Sequence, residues 1–440
     1  MASQPLDVWV VGERVGTLVQ EGQRFVFTYL PSVSLDRLVS LTMPVRAASY
    51  VWPQLHPIFQ MNLPEGYQKD VLRARFGPVA TVDDLSLLAL TGRRTIGRVQ
   101  VVPLGASPES PEPALDLAAL LASPEAKRQF LEYLAQGLAE GVSGVHPKSL
   151  ATTRDRHDKA ILITDDWVVK TGPSDLPGLA LNESLCLDVA RAAGLEVPET
   201  RLSVDANVIA VRRFDRPPDG SPLAVEDFCA LEGLAPAEKY RGSLEGLAKL
   251  LRTYAGAEQL AGSRERFYRL MLLNYALGNA DAHLKNYALV YGSGEVARLA
   301  PVYDVLCVTA YPEFRQDLPA LTLYGKRAWA SGKFLARYAA QWLSLPAKSA
   351  MEAVEAVSTA VAAVAPRVAE AADRHPWFRE IGKRMLDAWE AGVSGIRPEA
   401  KASATRGKLR ESLGLSDTAR VPKRRKPYED PGGGSSRKVR

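Results

Sequence analysis

The chain has 440 residues, 46% of them hydrophobic and 24% charged, the composition of a globular protein too long for a single hydrophobic core, so two or three lobes are expected. Charged residues interrupt every apolar run before it reaches membrane-spanning length, and Met1–Asp7 lacks the basic-then-apolar pattern of a secretory signal, so a cytoplasmic location is the expectation. The net charge of +5 is uneven: residues 401–440 hold 12 Lys and Arg against 4 Asp and Glu, the remaining 400 hold 43 against 46, and nucleic-acid binding through bulk charge has no support.

The first hundred residues read as mostly β. Val8–Val11 and Arg24–Tyr29 are β-branched and aromatic with turn residues between them, and Gly97–Val102 is a further strand. A Pro-rich stretch from Pro103 to Pro113 has the composition of a surface linker, and from Leu115 to about Gly137 apolar positions recur at helical spacing. Ala160–Ile163 and Trp167–Lys170 then form a hairpin around Asp165 and Asp166. Leu181–Ala193 is a helix stopped by Gly194, and Val208–Val211 is a buried strand, the expected hinge between lobes.

Beyond residue 226 the pattern turns helical, with apolar periodicity over 264–278, 333–343, 351–372 and 377–391. Residues 286–304 break it with a second hairpin around Gly292-Ser293-Gly294. Cys186, Cys229 and Cys307 are far apart among apolar neighbours and read as reduced, buried thiols. The tail from 398 onward is basic, rich in Gly and Ser near its end, and reads as disordered. A solvated end and a contact to RNA or DNA are its two readings.

The chemistry concentrates in Gly278-Asn279-Ala280-Asp281-Ala282-His283-Leu284-Lys285-Asn286, directly after an apolar helix. Phosphoryl transfer needs a carboxylate to orient the attacking hydroxyl and a nearby amide oxygen to hold Mg²⁺, and Asp281 and Asn286 have the D-x₄-N spacing for it. Lys285 or His283 is placed to neutralise charge developing on the phosphoryl oxygens. Asp304, after the second hairpin, is an acid in an apolar context whose burial a metal ion would compensate. Lys170 ends a strand and Glu183 sits on the following helix, a pair that recurs around phosphate groups. Gly141–Lys148 is a turn able to expose backbone N–H groups to phosphates.

Each part also has an ordinary structural reading. Asp281 and Asn286 suit turns, Asp304 suits a helix cap, and Lys170 suits a strand end. Glu183 in a first helical turn is favoured by the dipole, so its role stays open between cap and ion pair. The order of the parts favours the phosphoryl-transfer reading: loop, hairpin lysine, helix glutamate, strand, D-x₄-N, hairpin, aspartate.

These residues resemble the HipA family, the kinase toxins of bacterial type II toxin–antitoxin pairs, from about residue 7 to 395. The resemblance rests on Phe59–Gly66, Gly92–Gly97, Gly144-Val145-His146-Pro147-Lys148, Asn182-Glu183, Val211–Arg216 and Glu226–Cys229. Its most specific parts are Gly278-Asn279-x-Asp281-x-His283-x-Lys285-Asn286 and Pro301-x-Tyr303-Asp304. It implies a two-lobed, protein-kinase-like α+β fold. The expected parts are a β-rich N-terminal subdomain (1–105), a linker and helix (106–140), a small ATP-binding lobe (141–216), a helical catalytic lobe (217–397) and the tail (398–440).

The resemblance further implies a serine/threonine kinase using ATP and Mg²⁺. Asp281 would be the catalytic aspartate, with His283 and Lys285 beside it, and Asn286 and Asp304 would bind the metal. Gly141, Ser143, Gly144, Val145, Lys148, Lys170, Glu183 and Val211 would surround ATP. Members phosphorylate a serine of the phosphate loop in themselves and an aminoacyl-tRNA synthetase in trans, and pair with a helix-turn-helix antitoxin of the HipB type that carries them to DNA. The loop serine of well-known members aligns here with Gly141, leaving Ser143 as the candidate autophosphorylation site, and His146 replaces the usual glutamine. Two rivals stand beside this reading: a lipid or small-molecule kinase of related fold, and a catalytically idle scaffold for an antitoxin and DNA.

Overall fold

A computed structural model describes residues 4–63, 83–109, 115–140, 145–146, 160–218 and 220–397. The N-terminal unit is an antiparallel sheet of β1 (Leu6–Val10), β2 (Glu13–Glu21), β3 (Arg24–Tyr29), β4 (Tyr50–Trp52) and β5 (Val99–Pro103), in the order β4-β3-β2-β1-β5. Its inner face, with Val8, Leu18 and Phe27 fully buried, closes against α1 (Pro57–Gln60) and α2 (Asp84–Thr91). Asp83 caps α2, its carboxylate accepting from Ser86 N at 2.8 Å.

The single helix expected over 115–137 is two: α3 (Leu117–Ala122) and α4 (Ala126–Glu140). Pro124 is the cause. The residue before a proline is pushed out of the helical region, and Ser123 adopts φ −76°, ψ 135°.

The small lobe is a second five-stranded sheet: β6 (Val145–His146), β7 (Ala160–Ile163), β8 (Trp167–Thr171), β9 (Thr200–Leu202) and β10 (Val208–Arg212), ordered β6-β7-β8-β10-β9. Because side chains alternate across a strand, its two faces have different tasks. Leu162, Val169 and Ala210 pack under Phe130 and Leu134 of α4. The other face carries two cross-strand rows: Ile163, Val168 and Val211, and then Ile161, Lys170 and Ile209. A lysine thus stands in an otherwise apolar row. Helix α5 (Leu179–Ala192) packs beside it, starting two residues earlier than the apolar pattern indicated.

After β10 the chain crosses to a three-stranded sheet, β11 (Ala224–Asp227), β12 (Ala288–Tyr291) and β13 (Arg298–Leu299), which includes the expected second hairpin. The helices are α6 (Phe228–Leu231), α7 (Leu244–Tyr254), α8 (Ala257–Leu277), α9 (Gly332–Trp342), α10 (Ala347–Arg374) and α11 (Arg379–Ile396). One continuous core joins α5 to these helices, with Phe267, Tyr338 and Trp389 fully buried. The three cysteines are free and buried. The architecture is α+β, with a cleft between the small lobe and the helical lobe.

Candidate active site

Gly278 creates the loop that carries Asp281. It ends α8 in the left-handed conformation (φ 67°), and an added Cβ would collide with Thr309 Oγ1. The chain then turns sharply instead of continuing as helix. Asn279 locks the turn, its Nδ2 donating to Asn274 Oδ1 at 2.9 Å and its Oδ1 accepting from Asp281 N at 3.2 Å. Five residues after Asp281, Asn286 Oδ1 accepts from His283 N at 3.0 Å, and Asn286 Nδ2 donates to Asp304 Oδ2, also at 3.0 Å. The two ends of the loop and the acid after the hairpin are therefore one hydrogen-bonded unit.

Asp304 has φ +57°, a conformation most side chains avoid and Asp or Asn tolerate best. A residue held there against its preference marks a position fixed by its surroundings. Lys170 Nζ reaches Asp304 Oδ1 at 3.4 Å and Glu183 Oε1 at 2.8 Å. The Glu183 side chain is 2% exposed and the Lys170 side chain 11%. Burial by itself lowers the lysine's pKa, but the Glu183 and Asp304 carboxylates overcome it and the net direction is up, so Lys170 is a cation. Glu183 is the fifth residue of α5 rather than a first-turn residue, and its place in the structure is the ion pair.

Asp281, His283, Lys285, Asn286, Asp304, Lys170 and Val211 all line one cleft of about 440 Å³. Its roof is the apolar face of the small sheet, with Ile161, Ile163, Val168 and Val211, and its floor is polar. Lys285 Nζ donates to Met61 O at 3.3 Å. Burial pushes the pKa of His283 down to about 4, against the opposing pull of Asp281 and Asp304, so in this cleft without ligand its ring is neutral at neutral pH. Its Nδ1 is buried without a hydrogen-bond partner among the described residues, a state that a bound polar ligand would relieve. Gly141, Ser143, Gly144 and Lys148 lie outside the described residues. Val145 is in β6, its backbone paired opposite Leu162 of β7.

The N-terminal unit contributes residues that the sequence did not single out for the site. Met61, Asn62, Leu63 and Ile96 line the same cleft. Asn62 and Ile96 exchange two hydrogen bonds, at 3.1 and 3.0 Å. The segment holding Ile96 is clamped to the turn that follows β10: Arg213 Nη2 donates to Thr95 O at 2.7 Å, and Asp215 Oδ2 accepts from Gly97 N at 2.8 Å. Glu226 makes a second tie, accepting from Ser40 Oγ at 2.6 Å, Leu41 N at 2.7 Å and Tyr291 OH at 2.5 Å. Tyr240 is another addition, its hydroxyl donating to Asp281 Oδ1 at 2.8 Å.

The donor set suits a hard cation shared with phosphate. Asp304 supplies carboxylate oxygens, and Asn286, whose Oδ1 accepts from His283 N while its Nδ2 faces Asp304, would offer its amide oxygen to a cation on turning the amide over. Among the described residues no group of three or more His, Cys, Asp or Glu forms a protein-only cage. Mg²⁺ takes few protein ligands and completes its shell with water and phosphate oxygens.

Comparison with known proteins agrees with this construction. The chain is 29% identical over 434 residues to "Putative kinase Y4dM" of Sinorhizobium fredii, covering 91% of this chain and 95% of that protein. It is 26% identical over 159 residues, 32% of this chain and 36% of the other, to the serine/threonine-protein kinase toxin HipA of Shewanella oneidensis. A solved structure of Shewanella oneidensis MR-1 HipA, in complex with HipB and operator DNA, superposes with a TM-score of 0.62 at 17% identity, over 93% of this chain and 98% of that one, and shows the same fold. The family model for the HipA N-terminal domain matches residues 6–102 and that for the HipA-like C-terminal domain residues 141–365, just over half of the chain by itself. The chain belongs to the HipA family.

Proposed function

We propose that this chain is a serine/threonine protein kinase that uses Mg-ATP and acts as the toxin of a type II toxin–antitoxin pair. The observation that carries the reading is the convergence of Lys170, Asp281, Asn286 and Asp304 on one cleft, with Glu183 paired to Lys170 behind it. The kinase names of its relatives support the same activity.

In this reading Ile163, Val168 and Val211 form the apolar slot for the adenine ring. Lys170, aimed by Glu183, binds a phosphate oxygen. Asn286 and Asp304 would hold Mg²⁺, which when bound neutralises charge on the β- and γ-phosphates. Asp281 orients the acceptor hydroxyl and receives its proton as the oxygen attacks phosphorus and ADP leaves. Lys285 supplies the positive charge near the reacting oxygens. Positioning and fixed charge provide most of the rate.

An antitoxin of the HipB type is the proposed partner, with DNA reached through it, on the strength of the complex formed by the Shewanella protein. Ser143 is the proposed autophosphorylation site and an aminoacyl-tRNA synthetase the proposed target, both following from the family resemblance. A cytoplasmic site of action is in keeping with this, and among the described residues no helix is long and apolar enough to cross a membrane.

The test is transfer of labelled γ-phosphate from Mg-ATP into proteins of a bacterial lysate, wild type against Asp281→Asn. Discrete bands are expected that weaken about 10²–10⁴-fold in the variant, the range for a lost general base. Bands of equal strength from both proteins, or none from either, would overturn the assignment.

A further inference from the structure

The hydrogen bond from Tyr240 OH to Asp281 Oδ1, 2.8 Å long, has no part in the transfer just described. Resting on the reading of Asp281 as the residue that orients the acceptor, we propose that Tyr240 is a place-holder for the acceptor hydroxyl. Its phenol occupies the hydrogen-bonding position on Asp281 that an attacking hydroxyl needs, so an acceptor enters by displacing it.

The backbone of this segment is fixed, and the ring lies at the rim of the cleft. Lys239 O accepts from Leu284 N at 3.1 Å, and Tyr240 O accepts from Arg327 Nη2 at 2.8 Å, which ties this segment to the catalytic loop on one side and to residue 327 on the other. The ring meets His283 edge-on, at 5.3 Å and 77°. Lys239 Nζ lies 5.5 Å over the ring, and Tyr240 is 40% exposed at the cleft, so its displacement from Asp281 is a side-chain rotation towards solvent. The tyrosine is not needed to shape the loop. Asp281 N donates to Asn279 Oδ1 and Asp281 O accepts from His283 N at 2.8 Å, and these bonds set the backbone at this position.

The exchange is chemically even for the right acceptor. A phenol and a Ser or Thr hydroxyl make the same O–H to carboxylate bond, so replacing one by the other loses little. A polypeptide hydroxyl brings further contacts to tip the exchange, whereas water brings none. Tyr240 therefore disfavours transfer to water, which wastes ATP, and favours an acceptor carried on a protein surface.

The test is acceptor-free hydrolysis of Mg-ATP by the full-length protein, comparing wild type, Tyr240→Phe, Asp281→Asn and the double variant. Tyr240→Phe keeps the ring and removes the competing hydroxyl. Hydrolysis should rise about tenfold, equivalent to 1.4 kcal/mol for one displaced hydrogen bond, and the rise should vanish in the double variant. An unchanged or lower rate in Tyr240→Phe, with label transfer to lysate proteins intact, would sink the place-holder alone. A lower rate accompanied by a displaced acid limb of the pH–rate profile would identify Tyr240 as a residue that positions Asp281 instead. Absence of both hydrolysis and label transfer in wild type would remove the kinase reading, and the place-holder with it.

Discussion

Lys170 Nζ stands 2.8 Å from Glu183 Oε1, across 13 residues and the change from strand to helix. Both side chains are buried, and the pair leans on Asp304 as well. Breaking it from one side leaves a carboxylate stranded out of water. Lys170→Met is expected to cost about 3–5 kcal/mol of stability in urea unfolding, the range for an uncompensated buried charge. Lys170→Met/Glu183→Gln should regain most of that loss. Phosphate transfer should stay absent in both, because the cation proposed to meet the phosphate is gone. A double variant as unstable as the single one would show that the pair is not the source of the loss.

Arg213 ties the N-terminal unit to the cleft. Its guanidinium donates to Thr95 O at 2.7 Å, to Thr164 O at 3.0 Å and to both carboxylate oxygens of Asp215, at 3.1 and 2.5 Å. Arg213→Ala strands a buried carboxylate and two carbonyls, and should cost about 3 kcal/mol or more. Ile96, next to Thr95, loses its anchor to the cleft wall, so the KM for ATP should rise several-fold in protein that remains folded. Arg213→Lys cannot make the fork and should restore little. An unchanged KM would mean that the wall is held without this contact.

His56 sets an acid limit for the N-terminal unit. Its Nδ1 accepts from Ile58 N at 3.2 Å, capping α1, and its ring lies 4.7 Å from that of Trp52. Burial pushes its pKa from 6.5 down to about 4. The folded chain keeps it neutral, while the unfolded chain takes a proton as soon as pH falls below 6.5. Its contribution to stability is therefore complete above pH 6.5 and is lost as pH drops towards 4, by about 1.4 kcal/mol per pH unit within that window. His56→Gln should flatten the slope of unfolding free energy between pH 6.5 and 4 by about that much. An identical slope in the variant would place the acid sensitivity elsewhere.

Much of the floor of the site was legible because its chemistry is local. Asp281 and Asn286 stand in one short loop after an apolar helix, and Lys170 interrupts an apolar strand, so each is conspicuous against its neighbours. Glu183 was ambiguous only because the start of α5 was misplaced: two residues decide between a dipole role and an ion pair. The break between α3 and α4 was also present in Ser123-Pro124, although helical periodicity on both sides masked it. Other contacts leave no trace in any window of sequence. Lys285 meets Met61 across 224 residues, and Tyr240 meets Asp281 across 41, because the packing of distant elements brings them together. The charge state of His283 was likewise hidden, since it depends on how completely the folded chain excludes water from the ring.

Met61 packs on the core of the N-terminal unit and Ile96 on a small cluster with Val225, Ala288 and Val290, yet both line the cleft that holds Asp281. This binds the inheritance of two segments that otherwise look independent. Recombination that exchanged the first hundred residues between relatives would import a foreign side of the catalytic cleft along with the new sheet. A gene fragment encoding only the C-terminal part would carry every acidic residue of the site with one of its walls missing.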